Sequence, residues 1–479
     1  MPPRTTLVPA ESPQIVQQLT ATGVAQVIVV MKRPVAPPTA AARRNPVARL
    51  AKHFVTSERS TDAAIHNALM TRAARGEAAV VRVARARRRV PAPPRVRIYP
   101  NLGVMLGTVR PEGLHALRRD GDVAAVTGAP HFTLIKPRVA VDATPRTKIG
   151  WGIEALEVPE LWKAGLTGKG VVVAHLDTGA DGRHPALRGG AFAAFAEFDA
   201  LGAEVTPTPR PHDTGEHGTH TAATVAGRAV GGFSMGVAPG AKLASAIVIE
   251  GGNVVARVLA GLDWALGHQA KVLSMSLGLP GWWDDFVPII RILRARGVLP
   301  VIAVGNEGPG TSRSPGNYSQ ALSVGAVTNS LAVADFSSSQ HFDRTADPIV
   351  PDLVAPGVDI ISAVPGNRYK LMSGTSMATP HVAGFAALLF EAKPGATIDE
   401  IERAILKSCA RPAGMTPERG GHGVPNAPRA LAVLMGPTVA LRGRKAPSTA
   451  RPRRRAARAS ARPRHVGRRV TTSRARRAR

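Results

Sequence analysis

The pattern of residues predicts an α/β protein: a mostly parallel sheet between helical layers, preceded by a smaller α+β domain. Three observations carry that expectation. From Trp151 onward, short β-branched runs, each ended by Gly, Asp, Ser or Asn, alternate with longer Ala/Leu segments, as parallel strands joined by covering helices would. The first 135 residues read instead as strand, helix, strand, helix, strand. After about Leu434 the chain turns to Arg, Ala, Pro and Ser, with too few large apolar residues to bury a core.

Taken in order, residues 1–20 are polar and weakly patterned and are expected to be flexible, and residues 24–31 read as a strand. The proline-free, Ala/Arg/Val-rich stretch 47–89 reads as one or two helices, closed by the Pro-rich break at 91–94. A strand at 103–109, a proline-opened helix at 111–119 and a strand at 123–126 complete a domain placed at 21–138. A linker is expected at 139–150, the main domain at 151–436 and a disordered basic tail at 437–479. Strands of the main domain are placed at 171–176, 243–248, 272–276, 299–303 and 321–327.

The net charge of +29 is concentrated outside the main domain. Residues 41–97 hold 14 Lys/Arg against 3 Asp/Glu and residues 441–479 hold 16 against none, which leaves residues 98–440 electrically ordinary. The tail suits weak, salt-sensitive contact with nucleic acid or an anionic membrane, or no specific partner at all; no aromatic residue interleaves its arginines to stack on bases. Cys409 is the single cysteine, which excludes an internal disulfide and a thiolate-built metal site. No apolar stretch reaches the ~18 residues of a membrane span, and no charged-then-apolar export pattern opens the sequence.

In a parallel sheet, reactive groups collect at the carboxyl ends of strands. Asp177 ends one strand in D-T-G, Ser276, Leu277 and Gly278 follow another in S-M-S-L-G, and Asn306 ends a third in A-V-G-N. An Asp before Thr-Gly also suits an ordinary turn. His217 opens the helical stretch in H-G-T-H; with His220 it has a spacing open to metal ligation, but no further Cys, Glu or His cluster completes a coordination set. Ser376, in G-T-S-M-A-T-P-H-V-A-G, stands where a turn runs into a helix, fit either for a cap or for a nucleophile beside free backbone N–H groups. The combination decides between these readings. A serine hydroxyl needs an imidazole to take its proton and a carboxylate to hold the imidazole, and here they occur in the order Asp, His, Ser.

On these five motifs, from Trp151 to near Leu434, the sequence resembles the subtilisin family of serine endopeptidases. The resemblance implies a subtilisin-like three-layer fold and broad, acyl-enzyme peptide hydrolysis. Asp177, His217 and Ser376 would be catalytic, with Asn306 and the Ser376 N–H as the oxyanion hole. Ser276, Leu277 and Gly278 would add a substrate as a further strand, and Ala303, Val304 and Gly305 would line the pocket for the side chain before the cut. Residues 250–253 match the family's second substrate edge loosely. No cofactor is expected: the usual family calcium site is unsupported, since Ala186 follows His184-Pro185 and the loop at 228–235 has no acid.

Residues 100–126 are similar to the second half of a subtilase inhibitory pro-domain. That implies a self-processing zymogen, cut somewhere between about Ile135 and Ile149, its own pro-domain being an intramolecular inhibitor; a permanent domain with no processing is the other reading. A monomer acting on protein or peptide substrates is expected. Secretion follows from the resemblance, and a cytoplasmic location from the missing export pattern.

Overall fold

A strand that is apolar on both faces has to be covered on both faces, and residues 27–30, V-I-V-V, make such a strand. The computed structural model describes residues 12–33, 46–55, 96–249, 254–345 and 347–436. In it, α1 (Pro13–Thr22) and β1 (Ala25–Met31) are followed by α2 (Pro46–Leu50), β2 (Phe54–Val55), β3 (Val96–Tyr99), β4 (Val104–Val109), α3 (Pro111–Arg119) and β5 (Val123–Gly128). The antiparallel sheet has the order β2-β4-β1-β5, with β3 also paired to β4. Val27 and Val29 face Ile15 of α1 and Leu114 and Leu117 of α3 in one core. Ile28, Val30 and Leu106 point the other way, into a cluster shared with helices of the second domain.

Helix α1 corrects the expectation of a flexible start for residues 13–20. Ser12 accepts the Ile15 N–H, Pro13 fits the first turn, Gly23 closes the helix at φ 71°, and fully buried Ile15 anchors it. The expected helical stretch 47–89 is described only through residue 55, where α2 and a short 3₁₀ turn lead into β2. Its remainder, the opening eleven residues and the basic tail lie outside the described residues.

Two short strands follow, β6 (Thr133–Leu134) and β7 (Val139–Ala143). The second replaces part of the linker expected at 139–150, because its backbone pairs with a strand far along the chain. The second domain then runs α4 (Trp151–Ala155), α5 (Val158–Lys163), β8 (Val172–Asp177), β9 (Phe192–Glu197), α6 (His217–Ala226), β10 (Lys242–Ile247) and α7 (Val254–Gly267). Next come β11 (Val272–Met275), β12 (Leu277–Pro280), α8 (Val287–Ala295), β13 (Leu299–Ala303), β14 (Arg313–Ser314), β15 (Leu322–Val327), β16 (Gln340–His341) and β17 (Ile349–Val350). The domain closes with β18 (Leu353–Pro356), β19 (Ile360–Val364), β20 (Arg368–Ser373), α9 (Thr375–Ala392), α10 (Ile398–Ser408), α11 (Pro417–Gly420) and α12 (Ala427–Met435).

Its main sheet has seven strands in the order β18-β15-β13-β11-β8-β10-β9, and every pairing is parallel. Val173, Val272 and Val301 face a core with α6, α9, α10 and α12. Their neighbours Ala174, Leu273 and Ile302 face the opposite core with α7 and α8. That alternation produces three layers, as the resemblance implied. Strands β9 and β18 enlarge the sheet beyond the five segments read from sequence.

Candidate active site

Strand β8 carries Asp177 to the carboxyl edge of the sheet, and α6 begins with His217 directly above it. Close packing makes this possible. A Cβ on Gly218 would lie 2.0 Å from the Gly179 carbonyl oxygen, and Gly179 itself, at φ 111°, turns the chain beneath the helix. The His217 Nδ1 lies 2.8 and 2.9 Å from the two Asp177 carboxylate oxygens. Asp177 also accepts the Thr178 N–H at 2.7 Å and the Thr221 hydroxyl at 3.2 Å.

Burial works against charge on both partners, but their mutual attraction and hydrogen bond prevail. The Asp177 carboxyl is held below its ordinary value, and His217 is raised above its own, with Asp213 adding to the second effect. Asp213 also organises the start of α6, accepting the N–H and hydroxyl of Thr219 and the Thr178 hydroxyl.

Ser376 is the second residue of α9, where backbone N–H groups lack intrahelical partners. Asn306, three residues beyond β13, is turned toward it: its Oδ1 accepts the Thr375 N–H at 2.8 Å and the Thr375 hydroxyl at 2.9 Å, which leaves Nδ2 facing the cleft.

The cleft is occupied by the chain's own residues 132–138. Strand β6 pairs antiparallel with β12, Leu134 opposite Leu277 and Thr133 opposite Gly278, and the Ile135 N–H donates to the Ser276 carbonyl at 3.1 Å. Ile135 is buried, as is Phe132, whose ring meets Phe286 edge-on at 4.9 Å. The Ser376 hydroxyl donates to the Ile135 carbonyl at 2.7 Å. Asn306 Nδ2 instead donates to the next carbonyl, that of Lys136, at 2.9 Å. Arg138 then reaches the Asn306 carbonyl at 2.9 Å through Nε. His217 Nε2 is buried and makes no hydrogen bond among the described residues.

The structure thus brings Asp177, His217, Ser376 and Asn306 to one cleft and lays Ser276, Leu277 and Gly278 along the bound strand. Ala303, Val304 and Gly305 are buried on the approach to Asn306, and their polar groups serve the scaffold. Arg313 N–H donates to Val304, and Ser338 N–H and the Thr375 hydroxyl donate to Gly305. His220 is a buried structural residue whose Nε2 meets the Ile360 carbonyl at 2.9 Å, and burial pushes it down to about 3. Trp282 meets the Tyr318 ring edge-on at 5.3 Å, with the Phe342 ring and the Arg344 guanidinium each 5.3 Å away. Residues 250–253 lie outside the described residues.

Sequence reasoning missed His175. Two residues before Asp177 within an apolar strand, it meets the Ser245 hydroxyl at 3.0 Å and the Thr221 hydroxyl at 2.8 Å, and so abuts the group that bonds Asp177. Burial pushes its imidazole down to about 4. The one available signal was a histidine between V-V-V-A and Leu176.

A parallel sheet whose strand ends gather a carboxylate, an imidazole, a helix-end hydroxyl and an amide donor around an extended peptide defines a serine-dependent peptide hydrolase. The comparisons agree. The model of the subtilase family matches residues 168–427. An alkaline protease of Alkalihalobacillus alcalophilus is 37% identical over 310 residues, covering 64% of this chain and 76% of that protein. Subtilisin Savinase of Lederbergia lenta is 38% identical over 283 residues, 58% of this chain and 97% of its own. The major intracellular serine protease of Bacillus subtilis is 35% identical over 246 residues, 50% and 74%. The chain belongs to the subtilase family and is a serine-type endopeptidase.

Proposed function

We propose that hydrolysis runs through Ser376, with His217 as general base and then general acid, and Asp177 fixing the imidazole's tautomer and stabilising its cation. The Ser376 oxygen attacks the peptide carbonyl carbon as its proton passes to His217 Nε2. Asn306 Nδ2 and the Ser376 backbone N–H receive the negative charge that develops on the carbonyl oxygen. The C–N bond then breaks, the leaving amine takes the proton from His217, and an acyl ester remains on Ser376. Water, deprotonated by the same imidazole, releases the acid. No metal or cofactor enters this scheme.

We further propose that the N-terminal domain is an intramolecular inhibitor and that the protein processes itself at Ile135–Lys136. The observation that carries this reading is the threading of residues 132–138 along β12, with the Ile135 carbonyl against the Ser376 hydroxyl. The contact is inhibitory in form, because the nucleophile and Asn306 hold two successive carbonyls, whereas attack requires both on one. Cleavage therefore needs the Ile135 carbonyl to shift into the place that Lys136 takes. Recognition through backbone bonds and few side-chain pockets supports broad specificity.

A fluorophosphonate probe tests the first reading: labelling that maps to Ser376 is expected, and folded protein that resists labelling would remove the proposed role. Ser376→Ala tests the second. That variant should persist as an uncut chain while the parent acquires a new N-terminus at Lys136, and cleavage of the variant when pure would rule out self-processing.

A further inference from the structure

The chain is gripped more extensively after the nucleophile than before it. Before it, β12 supplies a short pairing to residues 133–134, extended by one bond to Ile135. After it, the Arg138 N–H donates to the Ser373 carbonyl at 2.7 Å, and β7 then pairs with β20 along its whole length, from Val139 opposite Ser373 to Ala143 opposite Tyr369. Strand β20 ends only three residues before Ser376 and its other edge is filled by β19. Any extended chain crossing the nucleophile in this direction is therefore delivered onto the β20 edge.

Side chains contribute little to this grip. Val139 and Val141 are 40% and 50% exposed, so the strand is held by its backbone, which any sequence supplies. Charge is the exception. Arg368 and Lys370 of β20 both pair with Glu216, the residue before His217, so that two cations face one anion. Asp142 of β7 is the remaining anion facing the pair, 3.6 Å from Arg368 and 3.9 Å from Lys370. A residue of opposite charge at that place would leave three cations around one carboxylate.

We propose that the β20 edge is a second strand-adding site, which takes the leaving-side half of extended protein substrates and favours an acidic residue at the place Asp142 holds. This rests on the reading above, in which β7 becomes the new N-terminus after the cut and vacates the edge. The selected substrates are unfolded or loop segments long enough to span both edges, with an acid well beyond the scissile bond. Exposed pairs of this kind contribute modestly, so the charge preference adds a several-fold bias to a larger gain from backbone pairing.

The test uses the processed full-chain protein turning over a tetrapeptide p-nitroanilide, with synthetic peptides as competitors. One peptide has the sequence of residues 128–143, a second stops at Arg138, and a third carries Asp142→Lys. The long peptide should inhibit at a concentration at least ~10-fold lower than the short one, and the Lys-bearing peptide should lose roughly 3- to 5-fold of that gain. Arg368→Ala should narrow the difference between the two long peptides. Equal inhibition by all three, with the anilide still cut, would overturn the proposal. Absence of anilide turnover would instead overturn the catalytic reading, and this proposal with it.

Discussion

The two folded regions bury very different interiors. Among the described residues of the N-terminal domain the buried polar groups are few, chiefly Thr108, the Asp120 carboxylate and the Tyr99 hydroxyl, and the rest of its core is aliphatic or aromatic. The second domain buries His175, His184, His217, His220 and His381, together with Asp177, Asp181, Glu197 and a set of serines and threonines. An apolar interior needs only shape and area, whereas each buried polar group has to be met by a partner or it costs stability. In the second domain some of these groups hold the site in place: Thr221 bonds the Asp177 carboxylate, and Thr375 bonds the Asn306 amide oxygen. The N-terminal domain orients nothing internally, and its outer sheet face is completed by the second domain.

Acid should separate the two most strongly. Burial holds His175 and His381 down to about 4 and His220 to about 3, so these rings are neutral in the folded protein at neutral pH. The unfolded chain takes up their protons below about 6.5, so it binds more protons than the folded chain from there down to each depressed value. Their contribution is thus complete above about 6.5 and is lost as pH falls toward 4, on the order of 2–3 kcal/mol for each ring. His217, raised, works in the opposite direction, as do the raised, buried carboxyls of Asp213 and Asp352. Thermal melts of Ser376→Ala protein from pH 7 to 4, with hydrogen exchange at β8 and β1, should show β8 losing protection first. Earlier loss at β1 would contradict the polar-core account.

A smaller break falls on the site alone. Asn306→Leu removes the Nδ2 donor and should lower kcat on the order of 10²- to 10³-fold, a magnitude taken from subtilisin itself. KM should change much less, because the donor matters most once the carbonyl oxygen is negative. A loss in KM with kcat retained would mean that Asn306 binds the ground state and that the oxyanion is held elsewhere. Thr375 bonds the Asn306 amide, so Thr375→Val should reproduce part of the kcat loss.

The N-terminal domain should break by packing instead. Leu117 is fully buried between α3 and the sheet, and Leu117→Ala should destabilise this domain by about 2–5 kcal/mol. Exchange protection at β1 and β4 would fall while that at β8 and β13 stayed. Ile28→Ala, on the face shared with the second domain, should loosen docking as well as folding, and so speed release of the N-terminal domain after the cut proposed above. Equal behaviour of the two variants would erase the distinction between the domain's own core and its docked face.

These contrasts were unequally legible in the sequence. Asp177, His217, Asn306 and Ser376 each sit in a short motif whose neighbours serve them directly, as Gly218 and Gly179 do for His217, so local residues announced them. The 299–303 strand and the 111–119 helix were read at their observed bounds because apolar runs there end in strong breakers. Strand β9, F-A-A-F-A-E, and β18, L-V-A-P, were missed because alanine and proline carry little strand preference and their place comes from pairing with β10 and β15. Strands β6 and β7 were invisible for a stronger reason: their partners lie more than a hundred residues away, and neither has a patterned face. His175 was hidden within an otherwise apolar strand, since its role depends on Ser245 and Thr221 and no local spacing reports them.

The weakest expected effect lies at the seam between the regions. Asp285 is buried in the middle of the turn before α8, and its Oδ1 accepts the N–H of Gly128, the last residue of β5, at 2.6 Å. Burial in this contact raises its carboxyl above the ordinary value, though the Ser12 side chain and the Gly128 N–H oppose the shift. A group raised by docking adds affinity that is complete below its undocked value, near 3.8, and fades as pH rises through the docked value. Asp285→Asn keeps an acceptor for Gly128 but has no proton to take up. It should therefore change docking by about 1 kcal/mol at neutral pH and flatten the acid side of the pH dependence. The release rate of the cleaved N-terminal domain, measured from pH 4 to 7 in both proteins, reads this directly. Identical pH profiles would mean that Asp285 is already protonated or solvated at the seam, and that the regions are held together by their apolar faces alone.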